Sequence, residues 1–343
     1  MLHTLNTLYL TTQGAYVYLD HDTVKVKVED ETQLQVPLLH LGAIVCFGHV
    51  TVSAPLMQRC GMDGRAVIFH NYRGRFQARV TGPTGGNVLL RRAQHEALSN
   101  SAQTIQIAKA CVAGKMQNSR QVLLRAGREA ANTEDTAALG AAAQRIAFSL
   151  HRLRDCTTLD AVRGNEGDAA RAYFQVFGRM VRSDREAFPF SGRVRRPPIG
   201  RTNALLSFLY AMLLNDCVSA LDSVGLDPQV GYLHALRPGK PALALDLMEE
   251  LRAFVADRLV LSLINRRQIG GSDFDDLPGG AARLTDKGRR EVIVAYQRRK
   301  QDEVQHPVLD RKVQLGLVPH LQARLLARYL RGDLGNYPPF LTR

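Results

Sequence analysis

Residues 76–99 read FQARVTGPTGGNVLLRRAQHEALS, and the hydrophobic period changes inside this stretch. Up to Val80 the apolar and polar residues alternate, a pattern typical of strands. From Val88 onward the apolar residues follow the helical period of about 3.6 residues. The segment 82–86 between them is rich in glycine. It lacks the Gly-Lys-Ser or Gly-Lys-Thr sequence that ends a phosphate-binding loop, so we interpret it as an interdomain hinge. The sequence thus predicts an α+β chain, with a small β domain at 1–86 and a large all-α domain at 87–343.

The β domain is predicted to contain strands and one short helix. Alternation is clearest at 24–28, where lysines separate three valines. The helix opens at Ser53, a residue type that caps helices, and Pro55 suits its first turn. The predicted strands are 5–10, 15–19, 24–28, 43–47, 66–69 and 76–80.

The larger domain is predicted to be a series of helices. Two segments interrupt them and are expected to be loops: 188–201, which is rich in arginine and proline, and 270–280, which is rich in glycine and aspartate. The predicted helices are 88–129, 136–155, 159–181, 203–224, 243–264, 284–304 and 311–330.

The length of the chain indicates two domains, and its net charge indicates the kind of partner. The 343 residues are 45% hydrophobic, enough for two ordinary domains, and carry a formal charge of +13 with a pI of about 9.8. Residues 1–86 hold 7 basic and 6 acidic side chains, so a net charge of +12 falls in 87–343. This excess favours a polyanionic partner that binds mainly the helical domain, because neutralising phosphates releases condensed counterions.

The sequence also predicts a cytoplasmic protein without a membrane partner. No uninterrupted apolar run approaches the roughly 20 residues of a spanning helix, and no basic head precedes an apolar signal core. The five cysteines are far apart, without the paired spacing of zinc sites. We expect them to be free, buried thiols in a reducing compartment.

Glu166 is the first candidate for chemistry. If 159–181 is one helix, its apolar stripe contains Ala169 and Tyr173, and Glu166 lies on the same stripe. A carboxylate that points into the core needs a positive partner, a proton or a bound cation. The alternative is that the helix begins near Asp168, which would leave Glu166 in a polar first turn where the helix dipole favours acids.

Asp246 and Glu249 form a second acidic group. They are 3 positions apart, so on a helix they share a face and can hold one ion from adjacent turns. The window 243–264 that contains them is apolar around most of its circumference and is predicted to be buried. The alternative is structural, because acids at the start of a buried helix cap it and suit its positive end.

His234 precedes Asp246 by 12 residues, and the segment 237–241 between them is too rich in proline to be continuous helix. A turn there can bring the imidazole back over the start of the next helix. A lone histidine is more often a surface residue or a hydrogen-bonded core residue. Together with three carboxylates, however, it predicts a divalent metal site, because oxygen ligands suit Mg²⁺ and Mn²⁺ and an imidazole favours Mn²⁺.

Basic residues of the helical domain are candidates for phosphate contacts. Lys115 and Arg120 lie on a predicted helix, where an ordinary solvated surface is the alternative. Phe188 and Phe190 would form a base-stacking platform beside three arginines, or else pack into the core beneath an ordinary loop. The three arginines are Arg193, Arg195 and Arg196.

Four ordered segments resemble one known family, the CRISPR-associated adaptation integrases, which insert new spacers into a CRISPR array. They read RGNEG at 163–167 followed by AARAYF at 169–174, NALLSFLY at 203–210, GYLH at 231–234 followed by RPG at 237–239, and LALDLMEELR at 243–252. The resemblance runs nearly end to end, and LNTLY at 5–9 and VLLRRAQ at 88–94 are similar to the type I-C form. One departure is that IGRT at 199–202 lacks the acidic residue expected near Gly200, which bears on the contacts of that loop.

The resemblance implies a β-sandwich-like N-terminal domain, a helical catalytic domain and a homodimer. Two dimers are expected to assemble around a dimer of a small ferredoxin-like partner protein and to bind double-stranded spacer and repeat DNA. By motif, Glu166, His234 and Asp246 would bind Mn²⁺ or Mg²⁺. Glu249 would either touch the ion or orient its water.

The implied reaction is a transesterification, in which the 3′-hydroxyl of a spacer DNA attacks a phosphodiester at a repeat border. It needs no nucleoside triphosphate, in agreement with the missing phosphate-binding loop. Two other functions stay open: an endonuclease that acts on branched DNA or other nucleic acid without integration, and a DNA-binding scaffold whose acids merely cap helices. Asn203 and Tyr210, in the second segment, are further candidates for DNA contacts.

Overall fold

The computed structural model describes residues 6–72, 74, 76–82, 88–195 and 197–342. The chain divides into two compact units, Met1–Gly85 with Leu284–Gln301 and Gly86–Arg283 with Asp302–Arg343. A single boundary at residue 86 therefore misses a return of the chain to the first unit. Most of the predicted hinge, 83–86, lies outside the described residues.

The first unit contains two sheets that share one core. Its strands are β1 (Asn6–Leu10), β2 (Tyr16–Asp20), β3 (Thr23–Val28), β4 (Glu31–Pro37), β5 (Leu41–Phe47), β6 (Thr51–Val52), β7 (Ala66–His70) and β8 (Phe76–Val80). One sheet has the order β1-β5-β7-β8 and the other the order β4-β3-β2-β6. Leu10 and Ile44 of the first sheet join Val17 and Val24 of the second in a buried cluster. This confirms the predicted N-terminal β region.

The first unit contains one helix start that the sequence predicted and one strand that it did not. Helix α1 (Ala54–Met62) begins as predicted, because the Ser53 hydroxyl accepts a hydrogen bond from the Leu56 amide at 3.4 Å. Strand β4 is absent from the prediction. It lies at the edge of its sheet and is exposed along nearly its whole length, so its pattern of apolar residues is weak.

All the remaining helices except Asp286–Gln301 belong to the second unit. The remaining helices are α2 (Val88–Ser99), α3 (Ser101–Arg128), α4 (Thr133–Arg152), α5 (Leu159–Gln175), α6 (Arg201–Val224), α7 (Ala242–Glu249), α8 (Arg258–Asn265), α9 (Asp286–Gln301) and α10 (Val318–Leu330). A π-helical turn, Arg252–Asp257, joins α7 to α8. The predicted helix 88–129 is two helices, because the Asn100 side chain accepts from the Gln103 amide at 3.1 Å and starts α3 afresh.

Helix α9 is the element that returns to the first unit. Its Gln297 side chain donates a hydrogen bond to the Thr7 carbonyl oxygen at 3.2 Å and so ties the helix to β1. The sequence assigned the window 284–304 to the all-α domain. Periodicity identifies the helix but contains no information about the sheet against which it packs.

The prediction of an all-α second domain is wrong, because the second unit also contains short hairpins. Strand β9 (Phe274–Asp276) lies in the predicted loop 270–280 and pairs with β10 (Ala282–Leu284), which follows that loop. Strand β11 (Glu303–His306) pairs with β12 (Arg311–Gln314). Strands of three or four residues hold too few positions to establish an alternating pattern.

Helix α6 is the one described helix with the length and mean hydropathy of a membrane span, although Asn215 and Asp216 interrupt its apolar run. Half of its most apolar window is buried inside the protein, and a core helix passes the same test of length and composition. The five cysteines are free, as predicted, and all except the half-buried Cys156 are buried.

A buried histidine in the second hairpin leads to a prediction about pH. His306 Nε2 lies 3.2 Å from the Gln322 side-chain oxygen, and its Nδ1 accepts from the Val308 and Leu309 amides, both at 3.3 Å. This pattern requires a neutral ring with the proton on Nε2. Burial lowers the pKa of His306, and the hydrogen bond that its Nε2 donates to Gln322 offsets only part of that effect.

A depressed pKa means that the folded protein binds fewer protons than the unfolded chain, so stability is full above about pH 6.5 and falls as the pH falls below it. We expect His306→Gln to flatten this part of the profile, measured as the melting temperature between about pH 7.5 and pH 5.5. His95→Gln, at an exposed position of α2, should leave the profile unchanged. An unaltered slope in His306→Gln would contradict the assignment.

Candidate metal and phosphodiester site

Glu166 lies in the middle of α5 and pairs with Lys115. The Thr158 hydroxyl accepts from the Ala161 amide at 3.2 Å and starts the helix at Leu159, so the alternative of a helix beginning near Asp168 is wrong. The side chain of Glu166 is 25% exposed and lies one turn before the buried Ala169. The predicted position on the apolar stripe is therefore correct.

Asp246 and Glu249 lie on α7 and are buried, at 0% and 3% exposure. Because α7 begins at Ala242, Asp246 is in its second turn and Glu249 is its last residue. Neither acid occupies the helix start, so the alternative that they cap the helix is wrong.

The chain before α7 folds back tightly, as the proline-rich segment predicted. Gly231 lies against the start of α7, where an added Cβ would be 2.6 Å from the Ala242 carbonyl carbon. Arg163 Nε of α5 donates to the Leu233 carbonyl oxygen at 2.8 Å. These contacts fix the segment that carries His234 between α5 and α7.

The carboxylate of Asp246 organises this segment. Its Oδ2 accepts from the Tyr232 and Leu233 amides at 2.6 and 3.0 Å. Its Oδ1 accepts from the His234 amide at 3.0 Å and lies 2.7 Å from His234 Nδ1. A carboxylate accepts about four hydrogen bonds, so Asp246 is fully engaged. The contact assigns the proton of a neutral His234 ring to Nδ1 and leaves the Nε2 lone pair available.

Glu166 and Glu249 meet at the ammonium group of Lys115, and His234 lies beside Glu249. Lys115 Nζ forms an ion pair with Glu166 Oε1 and lies 2.8 Å from Glu249 Oε2. His234 Nε2 lies 3.7 Å from Glu249 Oε1. The cluster thus joins side chains from α3, α5, α7 and the segment before α7.

Glu249 is ionised despite its burial. Burial raises the pKa of this carboxyl, but Arg252, Lys115 and His234 together lower it to about 2. Arg252 donates to Glu249 Oε1 at 3.0 Å. The acid therefore keeps a full negative charge at neutral pH, which a cation ligand requires.

The geometry bears on the expected ligand set. Asp246 was expected to bind the ion directly and Glu249 to be the weaker fourth position. In the structure the oxygens of Asp246 accept from backbone and imidazole donors, whereas Glu249 faces both His234 Nε2 and the shared cation. The assignment of Glu166, His234, Asp246 and Glu249 to the metal stays a prediction.

The donor chemistry fits a divalent ion. Within the described ranges no three His, Cys, Asp or Glu side chains are already spaced to hold a metal. Two carboxylates nevertheless converge on one positive charge, the Lys115 ammonium, with an imidazole nitrogen beside them. Oxygen ligands with one imidazole suit Mn²⁺ or Mg²⁺.

Arg252 also belongs to a second buried network, which contains Tyr210, Asp257 and Tyr173. The Tyr210 ring lies between the guanidinium groups of Arg193 and Arg252, at 5.3 and 5.2 Å from its centre. Its hydroxyl donates to Asp257 at 2.7 Å, and the Tyr173 hydroxyl donates to the other Asp257 oxygen at 3.0 Å. Burial raises the pKa of Asp257 to about 6, despite these donors and nearby arginines.

The sequence reading missed the roles of Arg252, Asp257 and Tyr173. The available signal was the presence of charged residues inside the otherwise apolar window 243–264. A charge in a buried helix requires a partner, which is the argument already applied to Glu166.

The loop 188–201 is held by internal contacts. Asn203 Nδ2 donates to the Gly192 and Ile199 carbonyl oxygens, both at 2.9 Å, and its Oδ1 accepts from Arg193 at 3.0 Å. Phe188 is 1% exposed and the Phe190 ring packs 4.9 Å from that of Phe177. Phe188 therefore belongs to the core, whereas Phe190 is half-buried against Phe177, and a stacking role for it stays a prediction.

The predicted DNA contacts differ in how accessible they are. Arg195 is exposed, Arg120 is half-buried, and Arg196 lies outside the described residues. Asn203 and Tyr210 use their polar atoms within the protein, and direct DNA contacts from them stay a prediction.

The C-terminal segment 337–342 packs against Glu250 and Asn118, next to the acid cluster. Glu250 is fully buried and accepts from the Tyr337 hydroxyl at 2.6 Å, the Phe340 amide at 2.7 Å and the Gln322 side chain at 2.9 Å. Asn118 of α3 donates to the carbonyl oxygens of Glu250 at 2.6 Å and Phe340 at 2.8 Å. These bonds hold the residue next to Glu249 in place.

The role of Asp246 can be tested by stability alone. Asp246→Asn replaces an acceptor oxygen by an amide group that faces donors, so buried hydrogen bonds are lost. We expect the free energy of unfolding in urea to fall by about 3 kcal/mol. Asp168→Asn, at an exposed position of α5, should change it by less than about 0.5 kcal/mol. Equal stability of the two variants would refute the organising role.

Comparison with protein families gives a consistent match along the chain. Residues 8–298 match the model of the family described as CRISPR associated protein Cas1. A protein from Moorella thermoacetica, named CRISPR-associated endonuclease Cas1 1, is 60% identical over 99% of both chains. A protein of the same name from Chlorobaculum tepidum is 47% identical, also over 99% of both chains.

Solved structures show the same fold. A casposase bound to an integration product superposes with a TM-score of 0.81 at 23% identity, over 98% of this chain and 92% of that chain. A Cas1 protein from Thermotoga maritima gives 0.80 at 23% identity, over 95% and 97%. A Cas6-RT-Cas1–Cas2 complex gives 0.81 at 24% identity, over 98% of this chain and 36% of that chain. At these identities the likeness concerns the fold alone.

Proposed function

Because this chain belongs to the Cas1 family of CRISPR-associated proteins, we propose that it is a divalent-metal-dependent DNA endonuclease and integrase that inserts spacer DNA into a CRISPR array. One observation carries the proposal. Glu166 and Glu249 converge on a single cation beside the available Nε2 of His234. Paired carboxylates with an imidazole are suited to an ion that acts on a phosphodiester.

In this proposal Glu166, Glu249 and His234 Nε2 hold Mn²⁺ or Mg²⁺. When bound, such an ion neutralises the charge that develops on the attacked phosphate. Asp246 acts through His234, whose ring it orients and whose proton it holds on Nδ1. Arg252 keeps Glu249 ionised and in position.

The proposed reaction is an exchange of phosphodiesters. The 3′-hydroxyl oxygen of the spacer forms a new bond to phosphorus at the repeat border while the bond to the leaving 3′-oxygen breaks. The hydroxyl proton passes to solvent, and the leaving oxygen takes up a proton. Since one phosphodiester replaces another, no triphosphate is consumed. With water as the attacking group, the same site cuts DNA by hydrolysis.

The names of similar proteins support this choice without defining it. The Moorella thermoacetica relative is named an endonuclease, which fits the hydrolytic form of the reaction. The casposase was solved with an integration product, which fits the joining form. The alternative function is therefore an endonuclease that acts on branched DNA or other nucleic acid without integration.

The proposed assembly follows the family resemblance. The chain forms a homodimer, and two dimers bind double-stranded spacer and repeat DNA around a dimer of a small ferredoxin-like protein. A similar fold occurs in a complex that contains Cas2, which supports a Cas2-like partner. We further propose a cytoplasmic location and the type I-C-like form, the latter from the segments at 5–9 and 88–94.

The function can be tested with purified protein, its Cas2-like partner, Mn²⁺, a short duplex with 3′-hydroxyl ends and a supercoiled plasmid that carries a repeat. We expect Glu166→Ala, His234→Ala and Glu249→Ala each to lower joining by roughly 10²-fold or more, since each removes a charge or ligand at the reacting phosphate. Asp246→Ala should lower it by about 10- to 100-fold, as removal of an orienting partner does.

The matched control is Asp168→Ala, which removes an exposed acid from the same helix as Glu166 and should leave joining intact. Undiminished joining by Glu166→Ala and His234→Ala would refute the site. Cutting without joining by the wild type favours the endonuclease, and binding without either reaction favours the scaffold.

DNA binding should depend steeply on salt, because the net charge of residues 87–343 is +12. With about six phosphate contacts, affinity is expected to fall roughly 10³-fold between about 50 and 200 mM salt. Fluorescence anisotropy with a labelled duplex measures the slope directly. A nearly flat plot of log affinity against log salt would contradict an interface based on phosphate contacts.

A further inference from the structure

The Lys115 ammonium group is the one positive charge that joins Glu166 to Glu249 in the described part of the chain. The two acids lie on different helices, α5 and α7, and Lys115 reaches both from a third helix, α3. Its side chain is only 13% exposed, and that of Glu249 is 3% exposed. Little solvent is therefore available to replace the ammonium group as a partner.

The backbone that carries Lys115 is firmly held. Its neighbour Gly114 packs so closely that an added Cβ would lie 2.9 Å from Glu250 Cγ and 3.1 Å from Pro339 Cβ. The next residue, Met116, is 1% exposed. Any displacement of the ammonium group must therefore come from rotation about the four-carbon side chain, which is flexible.

The structure offers a place for that rotation. Lys115 also lines a cavity that it shares with Tyr173, Tyr210, Arg195 and Arg252. This cavity of about 20 Å³ has room for a group the size of an ammonium ion. There the ammonium group would face the guanidinium groups of Arg195 and Arg252, so leaving the acids costs electrostatic energy that binding of the divalent ion must offset.

We infer that Lys115 is an internal cation that takes the place of the divalent ion in the free protein and must be displaced before the ion binds. The inference rests on the proposed metal-dependent function. In the free protein Lys115 neutralises the two acids and stabilises the fold. Divalent-ion binding then has to break both ion pairs, so the protein binds the ion more weakly than its carboxylates alone would.

The test is titration calorimetry of the full chain with Mn²⁺ in the absence of DNA. We expect Lys115→Met to bind Mn²⁺ about tenfold more tightly than the wild type, because no ammonium group has to leave. Its melting temperature without metal should be lower than that of the wild type, because Glu249 loses a buried partner. Its rise on addition of Mn²⁺ should be larger.

A second variant at Lys115 and a control variant at Lys109 complete the test. Lys115→Gln is neutral but retains hydrogen bonds to the carboxylates, so it covers the case in which Lys115→Met does not fold; it should also bind Mn²⁺ more tightly. Lys109→Met removes a lysine from the same helix whose Nζ donates to the Arg154 carbonyl oxygen, outside the acid cluster, and should bind Mn²⁺ like the wild type.

The outcomes separate the inference from the function on which it rests. If His234→Ala abolishes Mn²⁺ binding while both Lys115 variants bind like the wild type, the metal site stands and the inference fails. If neither the wild type nor the Lys115 variants bind Mn²⁺, both fail. Tighter binding by the Lys115 variants, or binding by them alone, supports the inference.

Discussion

The carboxylate of Asp246 is the contact on which the rest of the site depends. It accepts from three successive backbone amides and lies against the imidazole of His234, and it thereby sets the path of the chain before α7. Without this carboxylate, the turn has no buried acceptor and the ring has no fixed orientation. Asp246 therefore organises the segment before α7, and Glu249 on the same helix carries the buried charge that pairs with Lys115.

The site contains more buried charge than its surroundings can solvate, and it is stable because each charge has a specific partner. Glu249 pairs with Lys115 and Arg252, and Arg252 in turn stacks on Tyr210. The acid Asp257 closes the network through two tyrosine hydroxyls. Loss of one member leaves another buried and unpaired, which costs more than the pair contributes. Such networks favour one arrangement of side chains over competing ones.

Sequence reasoning located the acids and the histidine, and their roles at the metal stay a prediction. The position of Glu166 followed from the continuous apolar stripe of α5, and the return of His234 followed from the proline-rich turn. A spacing of three residues places Asp246 and Glu249 on one face without indicating which of them meets backbone donors. The hairpins and the return of α9 were missed because short strands and distant packing have no periodic signature.

The contacts of Glu250 have a consequence for how the protein is made. Its partners Tyr337 and Phe340 lie 87 and 90 residues further along the chain. A nascent chain on the ribosome therefore exposes Glu249 and Glu166 to the cell before the segment that supports them has been synthesised. A chain that ended before Tyr337 would carry the acids of the proposed site without the contacts that hold Glu250 beside Glu249.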